Sequence, residues 1–300
     1  MRPQEDVHLS ELIASLDAEV TAPPALPKRE PFAHKGNFGK LCVLGGSVGF
    51  TGAPVLAAVG ALRTGSGLVT VLTPKSVYPA MASKLLCAMS RPLPERNGVV
   101  AEEALPDIFK VLHQVDTAVV GPGLGQADTV VRAVVEEALC PLVLDADGIN
   151  ALAGHIDILE TRRDKVTVLT PHYGEFCRLL GEKPRNPFEA ARALAVERGC
   201  ILVLKGHLTL TAFPDGKTAV NPTGNPGMAT GGSGDVLAGM IASLLGQGFD
   251  PEWAVPAAVY FHGRAGDLAA EALGEYALTA ADLLTYIPAA MKEGEERNGE

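Results

Sequence analysis

The stretch LCVLGGSVGFTGAPVLAAVGALRTGSGLVTVLTP, residues 41–74, decides the fold. Residues 41–46 and 67–74 are short runs rich in Val and Leu, and they predict two strands. Residues 52–65 between them predict a helix that a glycine closes. The strands are apolar throughout rather than alternately polar, as is typical of strands buried on both faces of a sheet. The stretch therefore indicates a strand–helix–strand unit of a parallel sheet.

The same alternation continues towards the end of the chain. Apolar runs predict further strands over 116–123, 141–148, 165–171 and 200–206. Helices are expected over 127–139, 173–180, 187–198, 234–246, 251–272 and 279–291. Two alternating segments around PDG, 207–213 and 216–222, predict a hairpin. We therefore expect an α/β fold with a mainly parallel central sheet, helices on both faces and an antiparallel edge hairpin.

The two ends of the chain differ from this core. Residues 1–30 are predicted to be an N-terminal extension, in which the apolar spacing from Leu9 to Leu16 indicates a short amphipathic helix before a Pro-rich linker. Residues 31–293 show no internal repeat and no second linker, so we expect one domain there. A polar tail is predicted over 294–300.

Composition and charge exclude several classes of protein. Hydrophobic residues make up 47% of the chain, which excludes general disorder, so the 33 glycines must occupy particular positions in a packed protein. The formal net charge of −10 argues against a general nucleic-acid or anionic-membrane binder, because such proteins need a positive field. A small anionic ligand is still compatible with this charge, since a few backbone N–H groups hold a phosphate.

Other features predict a cytoplasmic protein. The five cysteines are an odd number and are widely spaced, so we expect reduced, mostly buried thiols rather than a disulfide framework or a zinc site. The first residues, MRPQEDVHLSEL, lack the apolar core of a signal peptide. No apolar run is long enough to predict a membrane span.

Polar, glycine-rich clusters follow five of the predicted strands. In chain order they are GGSVGFTG, GPGLG, DADG, TPHYGE and KGHLT. Ligands of parallel α/β sheets bind beyond the carboxyl ends of the strands, so these loops predict one site at one edge. The first loop has the spacing G-G-x-x-G-x-x-G, and no G-x-x-x-x-G-K-[ST] occurs, which argues against a Rossmann dehydrogenase and a P-loop NTPase.

The segment NPTGNPGMATGGSGDVLAGMIASLLG, residues 221–246, runs from a polar loop directly into an apolar helix. Backbone N–H groups of Gly232, Ser233 and Gly234 would point outward at the helix N-terminus and form an anion hole for phosphate. Asp235 would lie beside that phosphate, where a carboxylate takes a proton from an attacking hydroxyl. The alternative is that Asp235 or Ser233 only caps the helix.

The other candidate residues have two interpretations each. His172 and Glu175 would contact substrate and hold hydrated Mg²⁺, which needs only one or two carboxylates, or they would only begin a helix. Asp145 and Asp147 are similar candidates, with a strand-end turn and a helix cap as the alternative. Lys205 follows a buried strand and would either meet a phosphate or reach along apolar surface to solvent.

Together these motifs resemble the ADP- or ATP-dependent NAD(P)H-hydrate dehydratases of the ribokinase-like superfamily. The resemblance covers about residues 34–291 and rests on six segments in order, HKGNFGKLCVLGGSVGFTGAPVLAAVGALRTGSGLVTV, VVGPGLG, LVLDADGINAL, TPHYGEFCRLL, VLKGHLT and NPTGNPGMATGGSGDVLAGMI. It implies dehydration of (6S)-NADHX and NADPHX, the hydrates of NADH and NADPH. The C6 hydroxyl would be phosphorylated with Mg²⁺ and ADP or ATP, with ADP to AMP as the expected donor reaction, and phosphate would then be eliminated.

The resemblance also implies roles for individual residues. Asp235 would be the base that deprotonates the C6 hydroxyl, and Gly232 and Gly234 would belong to the anion hole. The nucleotide would contact Lys205, Gly206, His207, Leu208, Thr209 and Gly234. The hydrated dinucleotide would contact Ala53, Gly123, His172 and Asp235. Glu175 would orient Mg²⁺ through water.

Two departures from the family pattern matter. The family commonly has H-P-x-E, whereas this chain has Tyr173 at the place of the Pro, which loosens the loop but keeps His172 and Glu175. Many relatives carry a fused N-terminal epimerase domain, so an NAD(P)HX epimerase on a separate chain is the expected functional partner here. The resemblance further implies a homo-oligomer, such as a tetramer.

Two other functions stay open at this point. One is a hydroxyethylthiazole-type kinase of the same superfamily, which would use the same anion hole and aspartate but would stop at the phosphorylated product. The other is a non-catalytic nucleotide-binding sensor. The long glycine-rich loop at 45–53 favours the dehydratase over the kinase, and Asp235 argues against the sensor.

Overall fold

The computed structural model describes residues 16–297. Its strands are β1 (Glu19–Val20), β2 (Lys40–Leu44), β3 (Leu68–Pro74), β4 (Met89–Leu93), β5 (Glu95–Arg96), β6 (Val99–Val100), β7 (Thr117–Val120), β8 (Leu142–Leu144), β9 (Thr167–Leu169), β10 (Ile201–Leu204), β11 (Leu210–Ala212) and β12 (Thr218–Val220). Ten of them form one sheet in the order β1-β12-β11-β10-β9-β8-β7-β2-β3-β4, and β5 and β6 form a separate antiparallel pair.

The large sheet confirms the predicted mainly parallel fold. All the strands from β10 across to β4 pair in parallel with their neighbours. β11 pairs antiparallel with both β10 and β12, as the hairpin signal predicts. β1 adds a two-residue parallel strand on the outer side of β12, so the hairpin lies one strand in from that edge.

Helices cover both faces of the sheet. They are α1 (Gly52–Arg63), α2 (Tyr78–Ala82), α3 (Leu105–Leu112), α4 (Asp128–Glu137), α5 (Asp147–Asn150), α6 (Tyr173–Leu180), α7 (Pro187–Arg198), α8 (Ser233–Gly246), α9 (Pro251–Leu273) and α10 (Ala280–Arg297). Short 3₁₀ turns lie at Lys35–Phe38, Glu102–Ala104, Ile156–Arg162 and Pro226–Met228. One apolar core holds residues of α3, α4, α6 and α7, and the core on the opposite face holds residues of α1, α8, α9 and α10. Along β2, alternate residues enter the two cores, which explains why the predicted strands are apolar throughout.

Helices α1 and α8 touch through their backbones. A Cβ atom on Gly239 would lie 2.0 Å from the carbonyl oxygen of Ala57. One on Gly60 would lie 2.8 Å from the carbonyl oxygen of Val236. Only glycine allows backbones to approach this closely, because every other residue brings a Cβ atom into the gap. The contact fixes the first residue of α8, Ser233, relative to α1.

The N-terminal segment packs more closely than a linker would. β1 pairs with β12, and the side chains of Leu16 and Leu26 are only 2% and 6% exposed. The predicted amphipathic helix from Leu9 onward lies outside the described residues except for Leu16. α10 continues past its predicted end to Arg297. The division into 1–30, 31–293 and 294–300 stays a prediction.

Residues 75–115 contain elements that the sequence patterns do not predict. β4, with the sequence MSRPL, lies at the edge of the sheet and is mostly exposed or half-buried, so it has no buried apolar run to indicate a strand. α3 follows it. Of the cysteines, Cys42, Cys140 and Cys200 are buried, as predicted, whereas Cys87 is exposed. No helix within residues 16–297 is long and apolar enough to cross a membrane.

Candidate active site

A cavity of about 830 Å³ opens where the carboxyl ends of β8, β9 and β10 meet the N-terminus of α8. Most of the residues predicted for the site line it, namely His172, Glu175, Lys205, Gly206, His207, Thr209, Gly232, Ser233, Gly234 and Asp235. Leu208 packs against the hydrophobic core instead. Ala53 and Gly123 are not part of this lining. The convergence of the loops on one edge of the sheet follows from the parallel fold.

Ala53 and Gly123 lie against each other beside this cavity. A Cβ atom on Gly123, which has a φ of +61°, would lie 3.3 Å from Ala53 Cβ. The loop after β2 is tied to this glycine, because Ser47 Oγ donates a 2.9 Å hydrogen bond to the Gly123 carbonyl oxygen. Gly121 packs closely on Asp145, since a Cβ there would lie 1.9 Å from the Asp145 carbonyl oxygen. The two loops therefore border the cavity on the side of Asp145.

Helix α8 begins without a side-chain cap. Its N-cap is Gly232, with a φ of +97°, and among the described residues no side chain hydrogen-bonds to the cap. Asp235 and Ser233 are therefore not capping residues, and Ser233 Oγ has no hydrogen-bond partner in residues 16–297. The Ser233 N–H donates a long, 3.4 Å hydrogen bond to the Thr230 carbonyl oxygen, whereas the N–H groups of Gly234 and Asp235 donate to no described residue outside the helix and remain available to an anion. Gly234 also lets Lys205 approach, because a Cβ there would lie 2.8 Å from Lys205 Nζ.

Lys205 lies among carboxylates just beyond the end of β10. Its Nζ is 2.7 Å from Asp145 Oδ1 and 4.0 Å from Glu175 Oε2. Asp145 Oδ1 also accepts a 2.8 Å hydrogen bond from Thr170 Oγ1. Burial alone would lower the pKa of Lys205, but the charges of Asp145 and Glu175 outweigh burial and hold that pKa above its ordinary value. Lys205 therefore stays positively charged inside the site.

Asp235 is the third residue of α8 and faces the same cavity. Burial raises the pKa of its carboxyl to about 7, and the negative charge of Asp145 adds to the rise. The ammonium group of Lys205 opposes the rise, while Glu175 and Asp147 add further negative charge. A carboxylate that titrates near neutral pH both accepts and releases protons under physiological conditions, which is the property of a general base.

His172 and Glu175 begin helix α6 as a capping box. His172 Nδ1 accepts a 2.9 Å hydrogen bond from the Gly174 N–H, and Glu175 Oε2 accepts a 2.8 Å bond from the His172 N–H. The helix-start interpretation of this pair is therefore realised in the structure. His172 Nε2 and Glu175 Oε1 lie 3.5 Å apart, and both residues line the cavity. Tyr173 occupies the first helical position and is 46% exposed.

The two aspartates of DADG have different surroundings. Asp145 faces Lys205, whereas Asp147 Oδ2 accepts a 2.8 Å hydrogen bond from the Gly125 N–H and thus holds the neighbouring loop. Ala146 between them has a φ of 49° and a ψ of −114°, a conformation that costs free energy for any residue with a side chain. The strained residue separates the carboxylate that enters the site from the one that supports the loop.

The residues present fit a Mg²⁺ ion that is held mainly by phosphates and water. No group of three or more metal-ligating side chains occurs in the described part of the chain, so a cage made only of protein ligands is not available there. Asp145 and Glu175 converge on Lys205 Nζ and provide two carboxylates. Mg²⁺ in nucleotide sites commonly takes one or two carboxylates and completes its shell with phosphate oxygens and water.

Another wall of the cavity is formed by the loop before α8 and by α9. The sequence analysis predicts only the glycine-rich end of that loop as part of the site. Asp267 of α9 accepts hydrogen bonds of 3.0 Å from the Gly224 N–H and from Asn225 Nδ2, and these bonds hold the loop before α8. His262, also on α9, is buried against Ser233. The sequence does not indicate a functional role for His262, because a histidine inside an apolar helix is more often a core residue than a site residue.

Comparisons with known proteins agree with this geometry. A family model described as NAD(P)H-hydrate dehydratase matches residues 41–289. The chain is 36% identical over 282 residues to the ADP-dependent (S)-NAD(P)H-hydrate dehydratase of Bacillus subtilis, a match that covers 90% of this chain and 95% of that protein. It is 44% identical over 279 residues to the bifunctional NAD(P)H-hydrate repair enzyme Nnr of Moorella thermoacetica, covering 90% of this chain and 52% of that enzyme.

The chain thus spans about half the length of the bifunctional relatives that it matches. Among solved structures, the fold is similar to that of the ADP/ATP-dependent NAD(P)H-hydrate dehydratase from Bacillus subtilis co-crystallized with ATP/Mg²⁺. The TM-score is 0.74 at 34% sequence identity, and the match covers 90% of this chain and 95% of that one.

Proposed function

We propose that this chain, which belongs to the NAD(P)H-hydrate dehydratase family, repairs hydrated nicotinamide dinucleotides. The reaction is the nucleotide-dependent dehydration of (6S)-NADHX and NADPHX to NADH and NADPH. The observation that carries the proposal is Asp235, a half-buried carboxylate whose pKa is raised to about 7 in the uncapped first turn of α8. A base and an anion site within one helical turn are what phosphoryl transfer to a hydroxyl group requires.

In the first step Asp235 accepts the proton of the C6 hydroxyl while the hydroxyl oxygen attacks the terminal phosphorus of the nucleotide. The bond between that phosphorus and the leaving nucleotide oxygen breaks, which releases AMP from ADP or ADP from ATP. The N–H groups of Gly232, Ser233 and Gly234 stabilise the negative charge on the phosphoryl group as it transfers. The bond between C6 and the phosphate oxygen then breaks, C5 releases a proton to water, and the C5=C6 double bond of the reduced ring forms as phosphate leaves.

The remaining residues bind the two nucleotides. In this proposal residues 205–209 and Gly234 contact the phosphoryl donor, and Ala53, Gly123 and His172 contact the hydrated dinucleotide. Asp145 and Glu175 would hold Mg²⁺, with Glu175 acting through water. When bound, Mg²⁺ neutralises charge on the phosphates. The solved relative from Bacillus subtilis that was co-crystallized with ATP/Mg²⁺ supports this assignment of co-substrate and metal.

The test is recovery of the absorbance of the reduced nicotinamide ring from hydrated NADH with Mg²⁺ and either ADP or ATP. Recovery with at least one nucleotide is expected, and no recovery with either would reject the dehydratase. A phosphorylated product without recovery would instead favour a kinase of the same fold. Comparison of the two nucleotides decides the donor, for which the name of the Bacillus subtilis relative favours ADP.

Asp235→Asn should abolish turnover while nucleotide binding is kept, because asparagine has nearly the same shape but cannot accept the hydroxyl proton. We expect a loss of about 10²-fold or more in kcat. Turnover within about threefold of the wild-type value would remove Asp235 from the role of base. Asp282→Asn, on the exposed start of α10, is the matched control and should leave kcat unchanged.

We also propose that copies of the chain assemble, as a tetramer, in the cytoplasm. An NAD(P)HX epimerase would convert the other epimer of the hydrate. The epimerase is supported by the bifunctional relatives, because this chain matches only about half of their length and their names indicate a second activity. Light scattering measures the assembly, and adding an epimerase to an epimer mixture should raise the recovered fraction of NADH towards completeness.

A further inference from the structure

We propose that His262 is a positioning residue for the anion hole, acting through the peptide group that joins Ser233 to Gly234. This inference rests on the proposed function of the α8 N-terminus. His262 Nε2 lies 2.9 Å from the carbonyl oxygen of Ser233. The side chain is buried, on the face of α9 that borders the cavity.

The planarity of the peptide bond makes this contact informative. The carbonyl oxygen of Ser233 and the N–H of Gly234 belong to one rigid, planar unit and point in opposite directions. A hydrogen bond that fixes the carbonyl on the side of α9 therefore also fixes the direction in which the Gly234 N–H faces the cavity. In a helix that carbonyl additionally accepts from the N–H four residues later, so His262 is a second donor to it.

His262 has the protonation state that this role needs. Burial lowers the pKa of its imidazole to about 4, so the ring is neutral near neutral pH. A neutral imidazole carries one N–H, and the contact with a carbonyl oxygen places it on Nε2. The ring therefore donates a hydrogen bond without adding a positive charge beside Lys205, which already provides the cation of the site.

The surrounding face of α9 is shaped to hold the same region. Gly263, the next residue, allows the loop before α8 to approach, because a Cβ there would lie 2.2 Å from Thr223 Oγ1. Thr223 Oγ1 donates a 2.9 Å hydrogen bond to the Tyr260 carbonyl oxygen, and Asp267 accepts from Gly224. α9 thus holds the loop before α8 from one side, and His262 forms a hydrogen bond to the first turn of α8 itself.

Two substitutions separate donation from packing. His262→Gln keeps an N–H donor, whereas His262→Leu fills a similar volume without one. We expect His262→Leu to lower kcat by about 10- to 100-fold, less than complete loss of an oxyanion-hole donor, with the KM for hydrated NADH within about threefold. His262→Gln should recover most of kcat. The control His113→Leu, at the exposed end of α3, should be indistinguishable from the wild type.

Nuclear magnetic resonance gives a readout that does not depend on activity. The amide resonance of Gly234 should move in the folded His262→Leu protein and stay near its wild-type position in His262→Gln. Equal loss of kcat in both variants, or a folded leucine variant with kcat within about twofold of the wild type, would overturn the proposal. If the wild type does not turn over hydrated NADH, the proposed function fails, whereas the Gly234 resonance still decides the role of His262.

Discussion

Asp145 Oδ1 and Lys205 Nζ lie 2.7 Å apart, and the ammonium group of this ion pair also lies 4.0 Å from Glu175 Oε2 and lowers the pKa of Asp235. The cluster holds one ammonium group against three carboxylates. These charges therefore adjust the pKa of Asp235, for which burial is the largest cause of the rise. Removing one partner of a buried ion pair destabilises the folded protein, because the remaining buried charge has no partner.

Removing the negative charge of Asp145 and removing the positive charge of Lys205 should shift the pH dependence of kcat/KM in opposite directions. Asp145→Asn removes a charge that raises the pKa of Asp235, so the rise of kcat/KM with pH should move to lower pH by about one unit. Lys205→Met removes the charge that lowers this pKa and should move the rise to higher pH. The pH profile of kcat/KM at saturating Mg²⁺ is the measurement. Lys217→Met, on the exposed hairpin, is the control and should leave the pH profile unchanged. Shifts of the same sign in Asp145→Asn and Lys205→Met would contradict control of the Asp235 pKa by these two charges.

Asp235→Asn should stabilise the protein at alkaline pH. The pKa of Asp235 is raised from 3.8 to about 7, so the folded state binds a proton more tightly than the unfolded state. Stability from this group is fully present below about pH 4 and is lost as the pH rises to about 7, with an upper limit of about 4 kcal/mol. The asparagine variant avoids this loss.

Urea unfolding at about pH 8 should therefore show a higher free energy of unfolding for Asp235→Asn than for the wild type, and near pH 4 the difference should vanish. Asp282→Asn should behave oppositely, because hydrogen bonds from Thr279 lower the pKa of Asp282 and stabilise its charged form. A pH-independent difference for Asp235→Asn would show that burial does not control its titration.

Ala146→Gly should stabilise the fold. Ala146 has a φ of 49° and a ψ of −114°, where a side chain costs about 1–3 kcal/mol and glycine does not. The more flexible unfolded chain of the glycine variant offsets about 0.4–1 kcal/mol of that gain. Chemical denaturation should show a net increase of about 1 kcal/mol. Ala151→Gly, at a helical φ of −64°, should instead lower stability, and a loss in both variants would contradict strain at Ala146.

Tyr173→Pro should be tolerated and should raise the melting temperature by roughly 2 °C. Tyr173 is the first residue of α6, the position where proline is favoured because the N–H there has no helical partner. His172 before it has a φ of −76° and a ψ of 167°, which suits a residue that precedes proline. Gly174→Pro is the matched control. It should destabilise the protein, since the Gly174 N–H donates to His172 Nδ1.

The fold was predictable because buried parallel strands leave an unambiguous pattern. The runs around Val43, Val119 and Val203 are apolar on both faces, and each is followed by its site loop. β4 lies at an edge and includes Arg91 and Pro92, so burial does not mark it. β1 lies in the segment that the sequence predicts to be an extension with a Pro-rich linker. It pairs with the outer backbone edge of β12, and no sequence pattern marks that pairing.

The candidate site was predictable only where residues contribute through loops with a recognisable pattern. Asp235 and the glycines before it stand at a loop-to-helix boundary that sequence periodicity detects. His262 lies in the middle of α9, where neighbouring residues are buried and apolar, and its hydrogen bond joins positions 29 residues apart. Ala146 gives no signal either, because an alanine in the sequence does not indicate a positive φ.

Because α1 and α8 meet main chain to main chain at Gly60 and Gly239, the offset between their N-terminal ends does not depend on the volume of any intervening side chain. The N-terminal end of α1 contains Ala53, the proposed dinucleotide contact, and the N-terminal end of α8 contains Asp235. Core side chains of this chain can thus be exchanged without changing the offset between the proposed dinucleotide contact and the proposed base. On the proposed assignment, the distance from substrate to base is therefore fixed by the main chain, and the side chains adjust acidity and affinity around it.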